Sequence, residues 1–247
     1  MAQAGEQEPV VTGRVNTDIT VDHLTVNRGA NLTNQTTAPA TPSGGAVVYS
    51  QYGVAVFMDT SGNVTSLKNP DPTAADSGLI AWSFDPAAAA STFLTTAGVV
   101  YLSKVIVTQQ QTLTNGLVEV STAGGTLTAS ENYLALFNST GTQIAISADQ
   151  STAFASAGLI TAAWASPVVS AAPGAYYVGV LCNGGTAITL ASGSALKPGG
   201  VSIGNAGLAT ATGRFLSSGT SQTAMPQSVT LGSASGNLAA TIWAAIS

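Results

Sequence analysis

Few residue types in this chain could carry catalytic or metal-binding chemistry. The sequence has one histidine, His23, and one cysteine, Cys182, which lies in an apolar run and is predicted to be buried. Ser-His-Asp and Cys-His catalysis need a histidine beside the nucleophile, and zinc sites need several histidine or cysteine ligands. Calcium needs clustered oxygens, but Asp59, Asp71 and Asp76 follow no known calcium-loop spacing and suit turn capping. We therefore expect no catalytic centre, no metal and no cofactor.

Carboxylates leave one enzymatic alternative, the hydrolysis of a polysaccharide. Glycosidases place two carboxyl groups on either side of the bond that they cleave. Beyond residue 80 the sequence offers Asp85, Glu119, Glu131 and Asp149. No motif pairs any two of them, because the alternation around Glu119 predicts a side chain that projects from a sheet, whereas Asp149 lies in a turn-like segment. We therefore expect a non-enzymatic protein.

Charged side chains make up only 7% of the 247 residues, and the net charge is −5. In ordinary globular proteins about 25% of the residues are charged. Six lysines and arginines spread along the chain cannot form the clustered basic patch that nucleic acids or anionic membranes attract. No apolar run reaches the roughly 18 residues that span a bilayer, and residues 1–6 do not resemble a secretory signal. We expect neither a nucleic-acid partner nor membrane insertion.

The first 80 residues predict an extended arm followed by a small β-sheet. Residues 1–13 are polar, and residues 14–33 alternate as a strand that needs a partner to bury its apolar face. Prolines and glycines in residues 34–46 predict a linker. We place the N-terminal arm, stalk strand and linker at 1–46, and a small β-meander with its following loop at 47–80.

Residues 81–247 predict an antiparallel β-sandwich, so that the whole chain is all-β. Short strand signals are separated by turn residues at intervals of roughly 8 to 14 residues, and two packed sheets bury such strands. A single helical turn is predicted at residues 87–90, with Asp85 as its cap and Pro86 at its first position. The predicted strands are 99–107, 117–121, 133–137, 143–147, 159–163, 176–182, 188–191, 228–231 and 241–246.

Exposed strand edges predict self-association. Monomeric β proteins protect edges with lysines, prolines and inward charges. This chain has three lysines, Lys68, Lys104 and Lys197. Because most edges lack such protection and the strand in residues 14–33 lacks a local partner, we expect an obligate homo-oligomer.

Aromatic residues are the candidates for contact with a carbohydrate. Sugar sites on β-sandwiches use an aromatic ring for stacking and amides or carboxylates for hydroxyl groups. The candidates are Trp82, Trp164, Trp243, Tyr176 and Tyr177. Core or interface packing is the alternative for each tryptophan. We predict glycan contacts at Trp164, Tyr176 and Tyr177, with Trp164 first because it adjoins a Ser-Pro turn just outside a predicted strand.

Two segments resemble a domain common in phages of actinobacteria. Residues 133–154 contain a Tyr-Leu-Ala-Leu-Phe strand, a turn with Ser and Gly, a Gln-Ile-Ala-Ile-Ser strand and an Ala-Asp-Gln-Ser corner. Residues 172–180 contain the Gly-Ala-Tyr-Tyr-Val-Gly strand that follows in that family. Residues 41–49 and 59–67 are similar to short hairpin modules in the same class of proteins. The resemblance implies a jelly-roll-like sandwich of minor tail, tail-fibre or head-fibre proteins, with no shared catalytic residues.

The resemblance also implies a place and a partner set. We expect a virion structural protein, a trimer, exposed on the phage particle as a minor tail or tail-fibre protein. The arm would attach it to other virion proteins, and the sandwich would face host surface polysaccharide. The alternatives are a capsid decoration or head-fibre protein, a polysaccharide-degrading tail enzyme, and a cellular carbohydrate-binding module.

Overall fold

A computed structural model describes residues 34–35, 37–51, 54–66, 72–193, 213–231 and 241–247. The chain divides into two compact units, Met1–Pro70 and Asp71–Ser247. The predicted arm and stalk strand, together with His23, Lys68, Asp71 and Lys197, lie outside the described residues. The division falls within the loop predicted at 68–80, but residues that follow it belong to the second unit. Ile80 donates its amide hydrogen to the Ile246 carbonyl, with 2.9 Å between N and O.

The first unit contains a four-stranded sheet among its described residues. Its strands are β1 (Asn34–Gln35), β2 (Val47–Gln51), β3 (Val54–Met58) and β4 (Val64–Ser66). Strands β2, β3 and β4 form an antiparallel meander, whereas β1 pairs with β2 in parallel. The meander matches the sequence prediction, but β1 falls in the predicted linker, because its backbone groups complete the edge of β2.

Described residues of the second unit form two large sheets and short connections. Two 3-10 turns, Ala74–Ser77 and Pro86–Ala88, flank the first strand. The strands are β5 (Ala81–Trp82), β6 (Ser91–Leu94), β7 (Val100–Val107), β8 (Gln111–Thr122), β9 (Gly125–Leu127), β10 (Tyr133–Phe137), β11 (Gln143–Ile146), β12 (Gly158–Ala171), β13 (Gly174–Leu181), β14 (Gly184–Thr186), β15 (Thr189–Ser192), β16 (Phe215–Ser218) and β17 (Ala244–Ile246).

The sheets are antiparallel and have distinct strand orders. The five-stranded sheet has the order β11-β10-β13-β7-β16, and β9 pairs with β14 in a small separate ladder. In the six-stranded sheet, the neighbours β5-β17-β8-β15-β6 form one path, and β12 pairs with β8. Strand β17 pairs with both β5 and β8. The fold is all-β and sandwich-like, as predicted.

Alternating residues of both sheets form the core of the sandwich. Val118 and Val120 on β8 and Leu134 and Leu136 on β10 are fully buried in one cluster. Because successive side chains of a strand point to opposite faces, the residues between them must face outward. Full burial of a Val or Leu side chain stabilises the fold by about 1.5–3 kcal/mol, so this cluster fixes the register of both sheets.

The outer face of the five-stranded sheet is also buried, and we call it the covered face. It is closed by Met225, Val229 and Leu231, which belong to residues 225–231, named here the covering segment. The Val229 amide donates to the Gly141 carbonyl at 2.8 Å, so the segment is tied to the β10–β11 turn. The sheet residues in this cluster are Val100, Leu102, Ala135, Phe137, Tyr177, Leu181 and Leu216.

Most strand predictions are confirmed, but several bounds and short strands need correction, and β8 begins at Gln111 rather than at 117. Strand β10 matches its prediction, and Asp85 caps a short 3-10 turn by accepting a hydrogen bond from the Ala87 amide at 2.8 Å. Strand β12 continues to Ala171, well past the predicted end at 163. Strands β5, β6, β9, β14 and β16 were not predicted, since each is only two to four residues long. The predicted strand at 228–231 is only an isolated bridge, between Thr142 and Ser228.

Within the described part of the chain, none of the helical segments has the length and apolar character needed to cross a membrane.

Candidate functional site

Trp164 is not a surface stacking platform. Its side chain is only 4% exposed and belongs to the main core cluster. A Cβ atom placed on Gly116 of β8 would lie 2.2 Å from the Trp164 ring, so the indole packs directly on the glycine backbone. The predicted strand end at 163 is wrong, and the longer β12 turns Trp164 inward. The glycan contact predicted for this residue is therefore corrected to core packing.

Tyr176 and Tyr177 are also packed rather than displayed. Tyr176 is 9% exposed, and its hydroxyl donates to the Ala172 carbonyl at 2.8 Å. Tyr177 is 1% exposed, its hydroxyl donates to the Gly213 carbonyl at 3.2 Å, and burial raises its pKa. Neither ring offers a free face to a sugar. The prediction failed because the apolar run in β13 faces a core cluster on one side and the covered face on the other.

A groove on the outside of the six-stranded sheet is the strongest candidate site. It has a volume of about 700 Å³, which lies within the usual range for ligand sites. We call it the outer groove. It is lined by Ser77, Leu79, Pro86, Ala89, Ala90, Ser91, Thr92, Leu117, Glu119, Ser121, Leu159, Ala191 and Trp243.

Strand alternation produces the floor of the outer groove. On β8 the inward Val118 and Val120 leave Leu117, Glu119 and Ser121 on the outer face. Next to β8, β17 turns Ala244 into the main core while the preceding Trp243 faces outward with Ala245 and Leu117. The apolar floor and the polar groups above it therefore come from one sheet face.

Two 3-10 turns form the rim of the outer groove. Asp76 accepts hydrogen bonds from the amide and hydroxyl of Thr73 at 2.9 and 2.8 Å, and Gly78 ends the turn with a φ of 70°. Asp85 caps the second turn. Both carboxylates are thus engaged in capping, and the turns hold rim residues such as Ser77 and Pro86 in place.

The polar side chains of the outer groove are uncommitted. Within the described residues, Glu119, Ser121, Ser91 and Thr92 make no side-chain hydrogen bond to another protein group. Trp243 is 5% exposed, and its Nε1–H has no acceptor in the part of the chain that the structure describes. An unsatisfied buried donor costs roughly 1–3 kcal/mol. The groove therefore combines an apolar floor with several groups that are able to take a polar ligand.

The remaining carboxylates and the cysteine have structural surroundings. Asp149 accepts hydrogen bonds from the Ser151 hydroxyl and the Asn132 amide, at 2.5 and 3.2 Å. Burial alone would raise the pKa of Asp149, but hydrogen bonds led by that of Ser151 outweigh this effect and lower it. Burial raises the pKa of the Cys182 thiol, and the predicted buried position of Cys182 is confirmed.

Sequence reasoning found Glu119 but not its setting. Of the four carboxylates considered for hydrolysis, Glu119 alone lines the outer groove. Described residues include no group of three or more His, Cys, Asp and Glu side chains that could hold a metal ion. Residues from several separate segments of the chain line the groove, so no local sequence motif predicts it.

Comparisons with known proteins add no assignment to this geometry. Searches against protein-family models, curated proteins and solved structures found no match to this chain.

Proposed function

We propose that the chain is a non-enzymatic structural protein of a bacteriophage particle, displayed as a trimeric minor tail or tail-fibre protein. The observation that carries the proposal is the arrangement of the two segments that resemble phage tail domains. Strands β10 and β11 and the Asp-Gln-Ser corner follow one another, and β13 pairs with β10 over residues 133–137 and 177–181. The resemblance implies this order of strand, turn, strand, corner and strand.

Local chemistry explains why the motif residues are of these types. The Asn138 side chain accepts hydrogen bonds from the amides of Thr140 and Thr142, each at 3.0 Å, and Gly141 supplies a φ of 85°. At the corner, Asp149 holds the amide of Asn132. These residues build turns and do not face the outer groove, which supports a structural rather than a catalytic motif.

Exposed apolar edges support the oligomeric part of the proposal. On β12, Val169 is 73% exposed, and the strand contains no charged residue. On β6, Leu94 is 64% exposed. Such edges invite pairing unless other chains cover them. Copies of the same chain are the proposed cover, and the arm predicted at residues 1–13 is the proposed attachment to other virion proteins.

The proposal is tested by locating the chain in purified particles. Antibodies against the second unit, used for immunogold labelling, should mark the tail, and quantitative mass spectrometry should give a copy number divisible by three. Labelling of the capsid would favour the decoration or head-fibre alternative. Recovery of the chain only in the particle-free fraction of the lysate would overturn the proposal.

The same preparation addresses the polysaccharide-degrading alternative. Incubation of purified protein with host capsular or cell-wall polysaccharide should release no new reducing ends. A time-dependent release that is lost in E119Q would favour the enzyme instead.

A further inference from the structure

We propose that the outer groove binds a neutral sugar ring, with Glu119 as its main hydrogen-bond acceptor. The inference rests on the proposed function only for the origin of the sugar, which would be the host surface. Binding itself is a property of the second unit, because all lining residues belong to that unit.

The surface of the outer groove matches the two kinds of surface on a sugar. A pyranose ring has apolar C–H patches and a belt of hydroxyl groups. Leu117, Leu159 and Ala191 supply apolar contacts beside Trp243. At about 700 Å³ the groove holds one or two such rings.

The polar groups of the outer groove suit hydroxyl groups better than other ligand chemistries. An ionised Glu119 accepts at two oxygens, so it is able to bind two neighbouring hydroxyls at once. The hydroxyls of Ser121, Ser91 and Thr92 donate as well as accept. None of these four side chains is engaged within the described residues, so a ligand needs to break no protein hydrogen bond.

Charge disfavours an anionic ligand, and the hydroxyl groups of the groove disfavour a simple cation. Among the described residues, Glu119 is the one charged side chain that lines the groove, and the whole chain carries −5. An anion would therefore meet uncompensated negative potential. An alkylammonium ion would pair with Glu119 but would leave the serine and threonine hydroxyls unused. A neutral polyhydroxyl ring is the class that uses every polar group.

The experiment is saturation-transfer NMR on the full chain. The probes are the methyl glycosides of glucose, galactose, mannose, rhamnose and N-acetylglucosamine, with glucuronate and hexylammonium as charged comparisons. S121W fills the groove from β8, and E119Q removes the carboxylate but keeps its shape. The matched controls are T112W, an exposed position of the same strand outside the groove, and E131Q, the same charge change elsewhere.

We expect saturable binding of at least one neutral glycoside. S121W should abolish it, and E119Q should weaken it about tenfold because a charge-assisted hydrogen bond becomes a neutral one. T112W and E131Q should bind like the wild-type chain. Three results would each overturn the inference: no neutral probe binds, the probe binds S121W as well as it binds wild type, or only a charged probe binds.

These outcomes separate the inference from the proposed function. A chain found on particles that binds none of the neutral probes keeps its structural role and loses the sugar site. A chain that binds a neutral glycoside in the groove but is absent from particles keeps the site and loses the phage assignment.

Discussion

The outer faces of the two sheets differ in what lies over their apolar residues. On the five-stranded sheet, Leu102 and Phe137 are fully buried because the covering segment packs on them. On the six-stranded sheet, Leu117 and Trp243 pack with rim residues, yet a groove of about 700 Å³ remains. The first face contributes to stability within the chain. The second face leaves an open groove that a ligand could enter, and for this reason the candidate site lies there.

The largest expected effect compares the same substitution on the two faces. Leu216 is fully buried on the covered face, and Leu159 is 57% exposed at the outer groove. L216A should lower the free energy of unfolding by about 2–5 kcal/mol, because it leaves a cavity. L159A should change it by less than about 0.5 kcal/mol. Urea unfolding followed by tryptophan fluorescence measures the stability of both variants, because the three tryptophans lie in the second unit. Equal losses in L216A and L159A would show that the two faces contribute equally to stability.

A substitution at Gly141 tests how the covering segment is attached to the β10–β11 turn. A Cβ atom on Gly141 would lie 2.0 Å from the Val229 carbonyl oxygen, at a φ of 85°. Gly158 also has a left-handed φ, 129°, but nothing lies within 4 Å. G158A should lower the free energy of unfolding by about 1 kcal/mol, from backbone strain alone. G141A should lower it by about 2–3 kcal/mol, because the clash with Val229 adds to the strain.

Amide hydrogen exchange at Val229 tests the same attachment locally. In G141A the Val229 amide should exchange faster, since its hydrogen bond to the Gly141 carbonyl is disturbed. Unchanged protection of Val229 would show that the covering segment is held elsewhere.

A smaller effect is expected from the corner that follows β11. Because the pKa of folded Asp149 is lowered, its stabilisation is present above the unfolded value of about 3.9 and is lost as the pH falls through the folded pKa. D149N should therefore be less stable than wild type at pH 7, and the difference should shrink below about pH 4. Urea titrations at several pH values measure this. A difference that stays constant down to pH 2 would contradict the assigned hydrogen bonds.

The smallest change in stability is expected for E119Q, on the outer face of the six-stranded sheet. The Glu119 side chain makes no hydrogen bond to another described residue, so E119Q should change the free energy of unfolding, measured in urea, by less than about 0.5 kcal/mol. A loss above about 1 kcal/mol would mean that the carboxylate stabilises the fold. That result would remove the distinction between a structural face and a binding face.

Strand positions were largely predictable from local pattern, but their limits were not. Residues 133–137 were predicted correctly because apolar residues fill the strand and turn residues bound it. Strand β12 was predicted too short because Pro167 suggests a stop. The strand tolerates it through a register shift between Ala163 and Val168. Strand β6 exists because β15 offers its edge, which local propensity does not reveal.

The candidate site was predictable only in part. Alternation correctly placed Glu119 on a sheet face, and Trp243 was among the aromatic candidates. The error at Trp164 came from local turn chemistry, which cannot show that Gly116 on another strand makes room for the ring. The groove depends on how distant strands and two rim turns come together, and that information is tertiary.

Strand β17 has a consequence for biosynthesis. It joins β5 to β8, although its residues are the last strand along the described chain. A ribosome-bound chain that has not yet released residues 244–246 lacks the strand between β5 and β8, so β5 has no paired neighbour among the described strands. Such long-range pairing is slow, and partial sheets aggregate. The second unit is therefore expected to close as a whole once these residues have left the exit tunnel, and not strand by strand during translation.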